Sequence, residues 1–319
     1  MKRDCDRAEL REYVSAASLT TLGTGGPCRF LVEIRRCAEL GAWYAWAREV
    51  GLPILIVGGG SNLLISDEGF PGLVLVNRIR GRSQQGDEIT VAAGEPLSDL
   101  IRWTNRLGLG GWERMFGIPG TVAGAVVGNA GAYGQDIGPR VEEVEVWTGS
   151  EMLRLGRHEL DFSYRYSSLK QHPEWFVVSI RLKLVPSRQD LHSVSDRIYK
   201  ERLKKYPAAL KCCGSFFKNV LIEQLSRTAC EDLPPDFIQF DKVPAGKLLA
   251  EVGACGQRQG GAMIAAHHGN LFFNAGNASS RDFLTLAEKW SARVWERFRI
   301  RLEPEVVVAP MDQRASQAN

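Results

Sequence analysis

Glycine is concentrated in two segments of this chain, and these segments limit its fold more than any other feature. The first is the run of three glycines at 58–60. The second extends from 117 to 134, with alanine, valine and other small residues between the glycines. Glycine makes up 33 of the 319 residues, where roughly 7% is usual. Because the excess is clustered and not periodic, it indicates close backbone approach rather than collagen or low-complexity sequence.

Composition excludes several classes of protein. Lys and Arg total 40 and Asp and Glu total 37, and a net charge of +3 is too small for a chain built to bind nucleic acid. The first residues lack the apolar core of a signal peptide, and no apolar run approaches the ~18 residues needed to span a bilayer. The seven cysteines and five histidines follow no zinc-site spacing, so we expect reduced thiols, no metal site and a cytoplasmic protein.

Hydrophobic periodicity predicts a mixture of strands and helices, which is typical of an α+β protein. The predicted strands are 29–34, 52–57, 73–76, 88–94, 141–148, 175–185 and 306–308, and the predicted helices are 37–50, 97–107 and 191–206. A last helix is predicted after its N-cap, Ser279, with Asp282 three residues further on. The apolar face of this helix comprises Phe283, Ala287, Trp290, Val294 and Phe298.

Each of the two glycine-rich segments could hold a ligand. At 58–62, the N–H groups of consecutive glycines can cradle a diphosphate, and Ser61 and Asn62 can add side-chain donors. The alternative there is a strained turn without a ligand, and the segment lacks the G-x-G-x-x-G spacing of a Rossmann site. The small residues at 117–134 would let a flat, extended cofactor lie against the main chain. The alternative at 117–134 is a helix crossing packed through small residues.

Three further segments carry side chains suited to catalysis. Ser215, which follows a glycine, is a candidate proton carrier or nucleophile, or else a helix-capping residue. Arg165 lies between two tyrosines, where a guanidinium can clamp a carboxylate or simply stack at the surface. Glu305 enters the terminal strand next to a proline, a position that also suits a solvated edge residue.

Taken together, the order and spacing of these segments resemble the bacterial MurB family of UDP-N-acetylenolpyruvoylglucosamine reductases. The matching segments are 21–27, 58–62, 117–134, 164–165, 214–219, 244–246, 274–278 and 303–305. The resemblance implies an α+β fold, with a two-lobed FAD-binding domain of the vanillyl-alcohol-oxidase (PCMH) type and a C-terminal α+β substrate-binding lobe. The implied divisions are a lead-in at 1–19, FAD-binding lobes at 20–80 and 81–190, a substrate-binding domain at 191–310 and a flexible tail at 311–319.

The resemblance also implies a function. Family members are NADPH-dependent flavoproteins that hold FAD noncovalently and convert UDP-N-acetylglucosamine enolpyruvate to UDP-N-acetylmuramate, a peptidoglycan precursor. The implied FAD contacts are Gly58, Gly59, Gly60, Ser61, Asn62, Gly117, Ile118, Gly120, Thr121, Gly124 and Gly131. The implied substrate contacts are Tyr164, Arg202, Asn219 and His268. We expect neither a nucleic-acid nor a membrane partner, and we expect a monomer.

In the implied reaction, hydride from the reduced flavin adds to the vinyl carbon C3, and negative charge spreads from C2 into the carboxylate. The implied catalytic residues are Arg165, Ser215 and Glu305. Arg165 would stabilise the developing charge, and Ser215 would protonate C2. Glu305 would have to carry or share a proton, because a carboxylate anion would repel that charge.

The chain departs from the family pattern at a few positions. These departures are Ala123 for a glycine, Lys211 and Val220 where proline is common, and Val307 where some members carry arginine. The interval between Arg165 and Ser215 is that of the shorter subclass of the family. Two rival interpretations stay open. A flavoprotein oxidase would be expected to carry a flavin-linking His or Cys in the glycine-rich segments, and a nucleotide-binding scaffold would be expected to lack one of the catalytic residues.

Overall fold

A computed structural model describes residues 9–227, 229 and 233–310 of the chain. The chain forms two compact units. The first unit contains the residues up to Val14, Cys28–Gly60 and Pro71–Lys204, and the second contains Ser15–Pro27, Ser61–Phe70 and the residues from Lys205 onward. Each unit is therefore assembled from several separate stretches of sequence.

The described residues form short strands and a smaller set of helices. The strands are β1 (Arg11–Ser15), β2 (Pro27–Ile34), β3 (Ile54–Val57), β4 (Leu63–Ile65), β5 (Phe70–Asn77), β6 (Arg82–Gln85), β7 (Glu88–Ala92), β8 (Leu109–Gly110), β9 (Gly131–Ala132), β10 (Gln135–Asp136), β11 (Val141–Trp147), β12 (Met152–Gly156), β13 (Phe176–Lys183), β14 (Val185–Pro186), β15 (Cys212–Ser215), β16 (Val220–Leu221), β17 (Lys242–Val243), β18 (Arg258–Gln259), β19 (Ala262–Ile264), β20 (Leu271–Asn274) and β21 (Val307–Ala309). The α-helices are α1 (Leu40–Val50), α2 (Leu97–Arg106), α3 (Val122–Val127), α4 (Leu191–Lys205), α5 (Ala245–Glu251) and α6 (Ser280–Phe298).

Two sheets form the scaffold of the first unit. In the sheet of order β1–β2–β5–β3, strands β3 and β5 run parallel, with Ile54 opposite Leu73. Helix α1 packs its buried residues Leu40, Tyr44 and Ala47 into the same apolar cluster as β2 and β5. The other sheet, of order β12–β11–β13–β7–β6, is antiparallel and shares a second apolar cluster with α2. Burial of each large apolar side chain in these clusters contributes about 1.5–3 kcal/mol.

Helix α6 is the centre of the second unit. The predicted apolar face is confirmed, because Phe283, Ala287, Trp290, Val294 and Phe298 are all buried in one cluster. The predicted N-cap is confirmed as well. The hydroxyl of Ser279 accepts the N–H of Asp282 (3.0 Å), and the Asp282 carboxylate accepts the N–H of Ser279 (3.0 Å). An antiparallel sheet of order β15–β20–β19–β18 and the parallel pair β4–β21 belong to the same unit.

Most predicted elements are present with small changes at their ends. The predicted helix 37–50 begins as a 3₁₀ turn at Cys37–Glu39 before α1, and the helix predicted to reach 107 ends at Arg106. Helix α3 was not assigned from the sequence, because its small residues give no amphipathic period. Residues 1–8 of the lead-in and the predicted tail at 311–319 lie outside the described residues. No helix in the described part of the chain is both long and apolar enough to cross a membrane.

The two units differ from the sequence-based division in three places. Residues 20–27 belong to the second unit, where the Thr21 hydroxyl donates to the Cys212 carbonyl (2.6 Å). Residues 61–70 belong to the second unit, because β4 pairs in parallel with β21. Residues 191–204 of α4 belong to the first unit, where Asn105 of α2 donates to the Leu191 carbonyl (3.3 Å) and to the Ser195 hydroxyl (2.9 Å). The roles assigned to the divisions of the sequence stay predictions.

Candidate functional site

The two glycine-rich segments meet in the first unit. Strand β3 ends at Val57, and a Cβ added to the following Gly58 would lie 2.4 Å from the Thr121 Oγ1. A Cβ added to Gly59 would lie 2.6 Å from the Cα of Gly120. No real Cβ approaches another atom this closely, so the two segments can pack this tightly only because positions 58 and 59 are glycine.

A network of backbone hydrogen bonds fixes the segment that leads into α3. The N–H of Val122 donates to Glu95 (2.9 Å), and the N–H of Leu97 donates to Gly120 (3.1 Å). Thr121 is the N-cap of α3, and its hydroxyl accepts the N–H of Gly124 (3.3 Å). These hydrogen bonds make this part of the chain rigid, and its glycines leave parts of the backbone without side chains to cover them.

The surroundings of Gly124 indicate whether a cofactor fits against the two glycine-rich segments. A Cβ added to Gly124 would meet only the Thr121 Oγ1, at 3.7 Å, which is ordinary van der Waals contact. Packing within the described chain therefore does not require glycine at 124, and the residue is exposed. An open backbone surface beside the close-packed Gly58 and Gly59 fits the flat, extended FAD that the sequence predicts.

Gly117 is where α4 reaches the second glycine-rich segment. Gly117 has a φ of +85°, and its N–H donates to the Ser98 hydroxyl (3.1 Å). A Cβ there would lie 2.6 Å from the Tyr199 ring and 3.4 Å from the Cδ of Arg202. The predicted substrate residue Arg202 is thus placed beside the predicted FAD contact Gly117.

Arg165 lies at the corner of a tight turn in the first unit. Ser163 and Tyr166 exchange backbone hydrogen bonds (3.2 and 3.1 Å), which leaves Tyr164 and Arg165 at the corner. Arg165 has a φ of +55°, in the left-handed region. Its Nη2 donates to the Gly131 carbonyl (2.9 Å), and its guanidinium carbon lies 5.2 Å from the Tyr164 ring centroid. The side chain is only 20% exposed, so the guanidinium is held in place by the protein itself.

Asn129 holds the segment whose Gly131 carbonyl accepts the hydrogen bond from Arg165. The buried Asn129 side chain donates to a carbonyl in the Arg165 turn (2.7 Å) and accepts the N–H of Gly138 (3.0 Å). A Cβ on Gly131 would lie 1.6 Å from the Asp136 Oδ1 and 2.7 Å from the Gln135 carbonyl oxygen, and the backbone contact requires glycine there. The same Asp136 oxygen is 3.8 Å from the Arg165 Nη1. Gly131 therefore also orients the arginine through its carbonyl, whether or not it contacts FAD.

Ser215 ends strand β15 in the second unit, opposite Leu271 of β20. The preceding Gly214 has a φ of +81°, and a Cβ added there would find no atom within 4 Å. The Ser215 Oγ lies 3.3 Å from the hydroxyl oxygen of Tyr206. Burial raises the pKa of the neighbouring Cys213, so that cysteine stays a neutral thiol. The serine hydroxyl therefore adjoins a phenol, and the backbone before it is unobstructed at Gly214, which suits a proton donor.

Glu305 is brought to the serine segment through the backbone. Its N–H donates to the carbonyl of Phe216, the residue after Ser215 (2.8 Å). The Glu305 carbonyl accepts from the Asn62 Nδ2 (2.9 Å), and the N–H of Val307 donates to the Asn62 carbonyl (3.0 Å). Asn62, a predicted FAD contact, thus also fixes the backbone of a predicted catalytic residue, which is half-buried.

Two predicted substrate contacts also lie in the second unit. The Asn219 Oδ1 accepts the N–H of Ala245, the first residue of α5 (3.2 Å). The His268 Nδ1 accepts the N–H of Asn270 (3.2 Å). Burial lowers the pKa of His268 to about 4, and the nearby Lys205 ammonium adds to the shift, so the imidazole is neutral near pH 7. A neutral His268 can donate a hydrogen bond to a substrate but cannot neutralise its phosphates.

The predicted site residues thus fall into three local groups. One joins the glycine-rich segments, one surrounds Arg165, and one joins Ser215 and Glu305. Arg165 belongs to the first unit, and Ser215 and Glu305 belong to the second. Over the residues that the structure describes, no cluster of three or more His, Cys, Asp or Glu side chains could hold a metal ion.

Sequence reasoning missed two residues of these groups. Tyr206 lies nine residues before Ser215, and no short motif connects them. Asn129 could have been found, because a polar residue within a run of small ones has to satisfy its amide when it is buried.

Two family models match separate parts of the chain. The model described as FAD binding domain matches residues 28–155. The model for the C-terminal domain of UDP-N-acetylenolpyruvoylglucosamine reductase matches residues 206–309. The first match covers Gly58 and Gly131, and the second covers Ser215 and Glu305.

Whole-chain relatives decide the family. The UDP-N-acetylenolpyruvoylglucosamine reductase of Solibacter usitatus (strain Ellin6076) is 40% identical over 288 residues, which are 90% of this chain and 92% of the relative. That of Synechococcus sp. (strain JA-3-3Ab) is 39% identical over 298 residues, 92% of this chain and 89% of the relative. This chain belongs to the UDP-N-acetylenolpyruvoylglucosamine reductase family. The crystal structure of the Thermus caldophilus reductase has a TM-score of 0.74 and 33% identity, and the match covers 95% of this chain and 99% of that one.

Membership of the reductase family confirms the resemblance that the sequence motifs carried. The predicted fold class, an FAD-binding domain followed by a C-terminal α+β lobe, is confirmed by the matching models and the Thermus caldophilus structure. The protein is an FAD-dependent oxidoreductase of this family. The roles of individual site residues stay predictions.

Proposed function

We propose that this protein reduces UDP-N-acetylglucosamine enolpyruvate to UDP-N-acetylmuramate in the cytoplasm, with NADPH as reductant. The proposal rests on one contact in a chain of the reductase family. The N–H of Glu305 donates to the carbonyl of Phe216, and this hydrogen bond connects the Ser215 and Glu305 segments. Reduction of an enolpyruvyl double bond needs a hydride on one carbon and a proton on the other. An alcohol and a carboxyl group on adjacent backbone segments are suited to the proton.

The glycine-rich segments would hold the cofactor. FAD held there would supply hydride chemistry for the vinyl carbon C3, with NADPH as the source of the electrons. The glycines at 58–60 carry no side chains to shield their N–H groups, which suits a diphosphate, and Gly124 leaves an open backbone surface nearby. Thr121 keeps this surface rigid through its cap of α3.

Arg165 would stabilise the negative charge that spreads into the substrate carboxylate. Its guanidinium is fixed by the Gly131 carbonyl and by Tyr164, so little reorganisation is needed when charge develops. Asp136, at 3.8 Å, partly offsets the positive charge. A planar guanidinium keeps further donors for a carboxylate while one Nη is occupied.

Ser215 would give its proton to C2, while Glu305 in its protonated form would support the same charge. A hydroxyl is a weak acid, but a carbanion next to a carboxylate is a strong base, so a well-placed alcohol suffices. Arg202 would contact the substrate diphosphate, and Tyr164, Asn219 and His268 would contact other parts of the substrate.

Anaerobic stopped-flow of the two half-reactions tests the proposal. In Ser215→Ala, bleaching of bound FAD by NADPH should keep its rate, because that step needs no proton from the serine. Flavin reoxidation by the enolpyruvyl substrate should slow by about 10²–10⁴-fold. The matched control is Ser291→Ala, which removes an exposed hydroxyl on α6 and should change neither step. Equal slowing of both half-reactions, or no slowing of either, contradicts the proposal.

A further inference from the structure

Tyr206 contacts Ser215 but has no role in the proposed reaction so far. It is the residue directly after α4, and its hydroxyl oxygen is 3.3 Å from the Ser215 Oγ. Both side chains are half-buried. Tyr206 and Ser215 both belong to the second unit, where Ser215 is held on its strand by the pairing with Leu271.

We propose that Tyr206 is a positioning residue that acts through Ser215, orienting its hydroxyl and replacing its proton as that proton leaves. The inference rests on the proposed function. In the step, a C–H bond forms at C2 while the Ser215 O–H bond breaks. The Tyr206 O–H bond breaks at the same time, and its proton restores the serine hydroxyl. The phenolate that results takes a proton from water before the next turnover.

The chemistry of the pair favours this direction of transfer. A phenol is a much stronger acid than an aliphatic alcohol, so a free serine alkoxide need never form. The Lys205 ammonium lies 5.3 Å from the Tyr206 ring centroid and stabilises negative charge on the phenolate. The His268 ring, at 6.3 Å between centroids, is neutral near pH 7 and adds no second charge.

Tyr206→Phe in the FAD-loaded protein tests the relay. Bleaching by NADPH should keep its rate, and reoxidation by the enolpyruvyl substrate should slow by about tenfold, because the serine proton then leaves without a phenol to replace it. The matched control is Tyr44→Phe, which also removes a tyrosine hydroxyl hydrogen bond, to the Glu174 carbonyl (2.7 Å), and should change neither rate.

A double-mutant cycle with Ser215→Ala separates a relay from a structural contact. If Tyr206 acts through the serine, adding Tyr206→Phe to Ser215→Ala should slow reoxidation no further. The same slowing on both backgrounds, or none in the single variant, overturns the relay. If Ser215→Ala alone reoxidises at the wild-type rate, the proposed proton donor is wrong. That result is distinct from a slow Ser215→Ala with a normal Tyr206→Phe, which overturns only the relay.

Solvent isotope effects give a readout that loss of packing would not move. The reoxidation rate in mixtures of H₂O and D₂O should curve with deuterium fraction in the wild type, because two protons move together. The curvature should be weaker in Tyr206→Phe, where the tyrosine proton no longer takes part. A linear dependence in the wild type overturns the concerted relay.

Discussion

At the scale of the residue, His268 shows how its surroundings alone set a charge state. Burial favours the neutral imidazole, and the nearby Lys205 ammonium acts in the same direction. The hydrogen bond from the Asn270 N–H to Nδ1 also requires that nitrogen to be unprotonated. Protonation of His268 in the folded protein would therefore place a charge in a buried site and break a hydrogen bond. Both effects lower the free energy of unfolding.

Stability should consequently fall as pH is lowered from about 6.5 towards 4. The pKa of His268 is lowered from 6.5 to about 4 in the fold, so between these values the unfolded chain holds a proton that the folded chain lacks. The expected loss is about 1–3 kcal/mol, after discounting for solvent screening. His268→Gln should flatten the pH dependence of the unfolding midpoint in urea, while replacement of the exposed His158 by Gln should not. Identical pH profiles for wild type and His268→Gln would contradict this account.

At the scale of the element, α6 depends on its first turn as well as its apolar face. Ser279 and Asp282 satisfy each other's backbone N–H groups, and Asp67 accepts the N–H groups of Ser280 (2.7 Å) and Arg281 (3.1 Å). The four N–H groups at the start of the helix would otherwise lack partners within it. The N-terminus of α6 is thus held by side chains from two separate stretches of sequence.

Removal of the Ser279 cap should increase local unfolding at the start of α6 without changing the position of the helix. Ser279→Ala is expected to cost about 1 kcal/mol, which corresponds to about fivefold faster amide exchange in the first turns of the helix. Hydrogen–deuterium exchange followed by mass spectrometry measures this locally. Ser291→Ala, on the exposed face of the same helix, serves as the control. Unchanged protection in Ser279→Ala would show that Asp67 alone is enough to hold the helix start.

Elements differ in how far the sequence predicts them. Helix α6 is predictable because five apolar residues recur at helical spacing. Helix α3 is not, because Val122–Val127 holds only small residues and valine, without polar alternation. The parallel pairing of β4 with β21 joins Leu63 to Val307, and no local pattern carries a contact over that separation.

The residues of the candidate site also differ in how far the sequence predicts them. The types of Ser215, Arg165 and Glu305 are evident from sequence. Tyr206 is not, because no local motif connects it to Ser215. Asn62 and Asn129 lie in segments that the sequence singles out, but their contacts with the catalytic segments depend on the fold.

At the scale of the whole molecule, the chain passes between its two units at five points, 14–15, 27–28, 60–61, 70–71 and 204–205. The second unit therefore cannot be isolated as one stretch of sequence. Its apolar cluster contains Leu22 and Leu64 together with residues beyond 205. Both leucines are completely buried, and β4 supplies the parallel partner of β21.

A fragment of residues 205–319 should not fold on its own. It lacks Leu22, Leu64 and β4, and the loss of two fully buried leucines costs about 4–10 kcal/mol, which is comparable to the total stability of a domain. Circular dichroism during urea titration should show a broad, non-cooperative change for the fragment and a cooperative one for the intact protein. A sharp transition in the fragment at the midpoint of the full chain would contradict this expectation.

The five residues at 58–62 serve both units at once, since the glycines to 60 belong to the first and Asn62 supports Glu305 in the second. An insertion or deletion in this loop that is compatible with one unit would therefore disturb the residues that belong to the other. Insertions and deletions among relatives should therefore be rare at 58–62 and common at free turns such as Gly86, where an added side chain meets nothing within 4 Å.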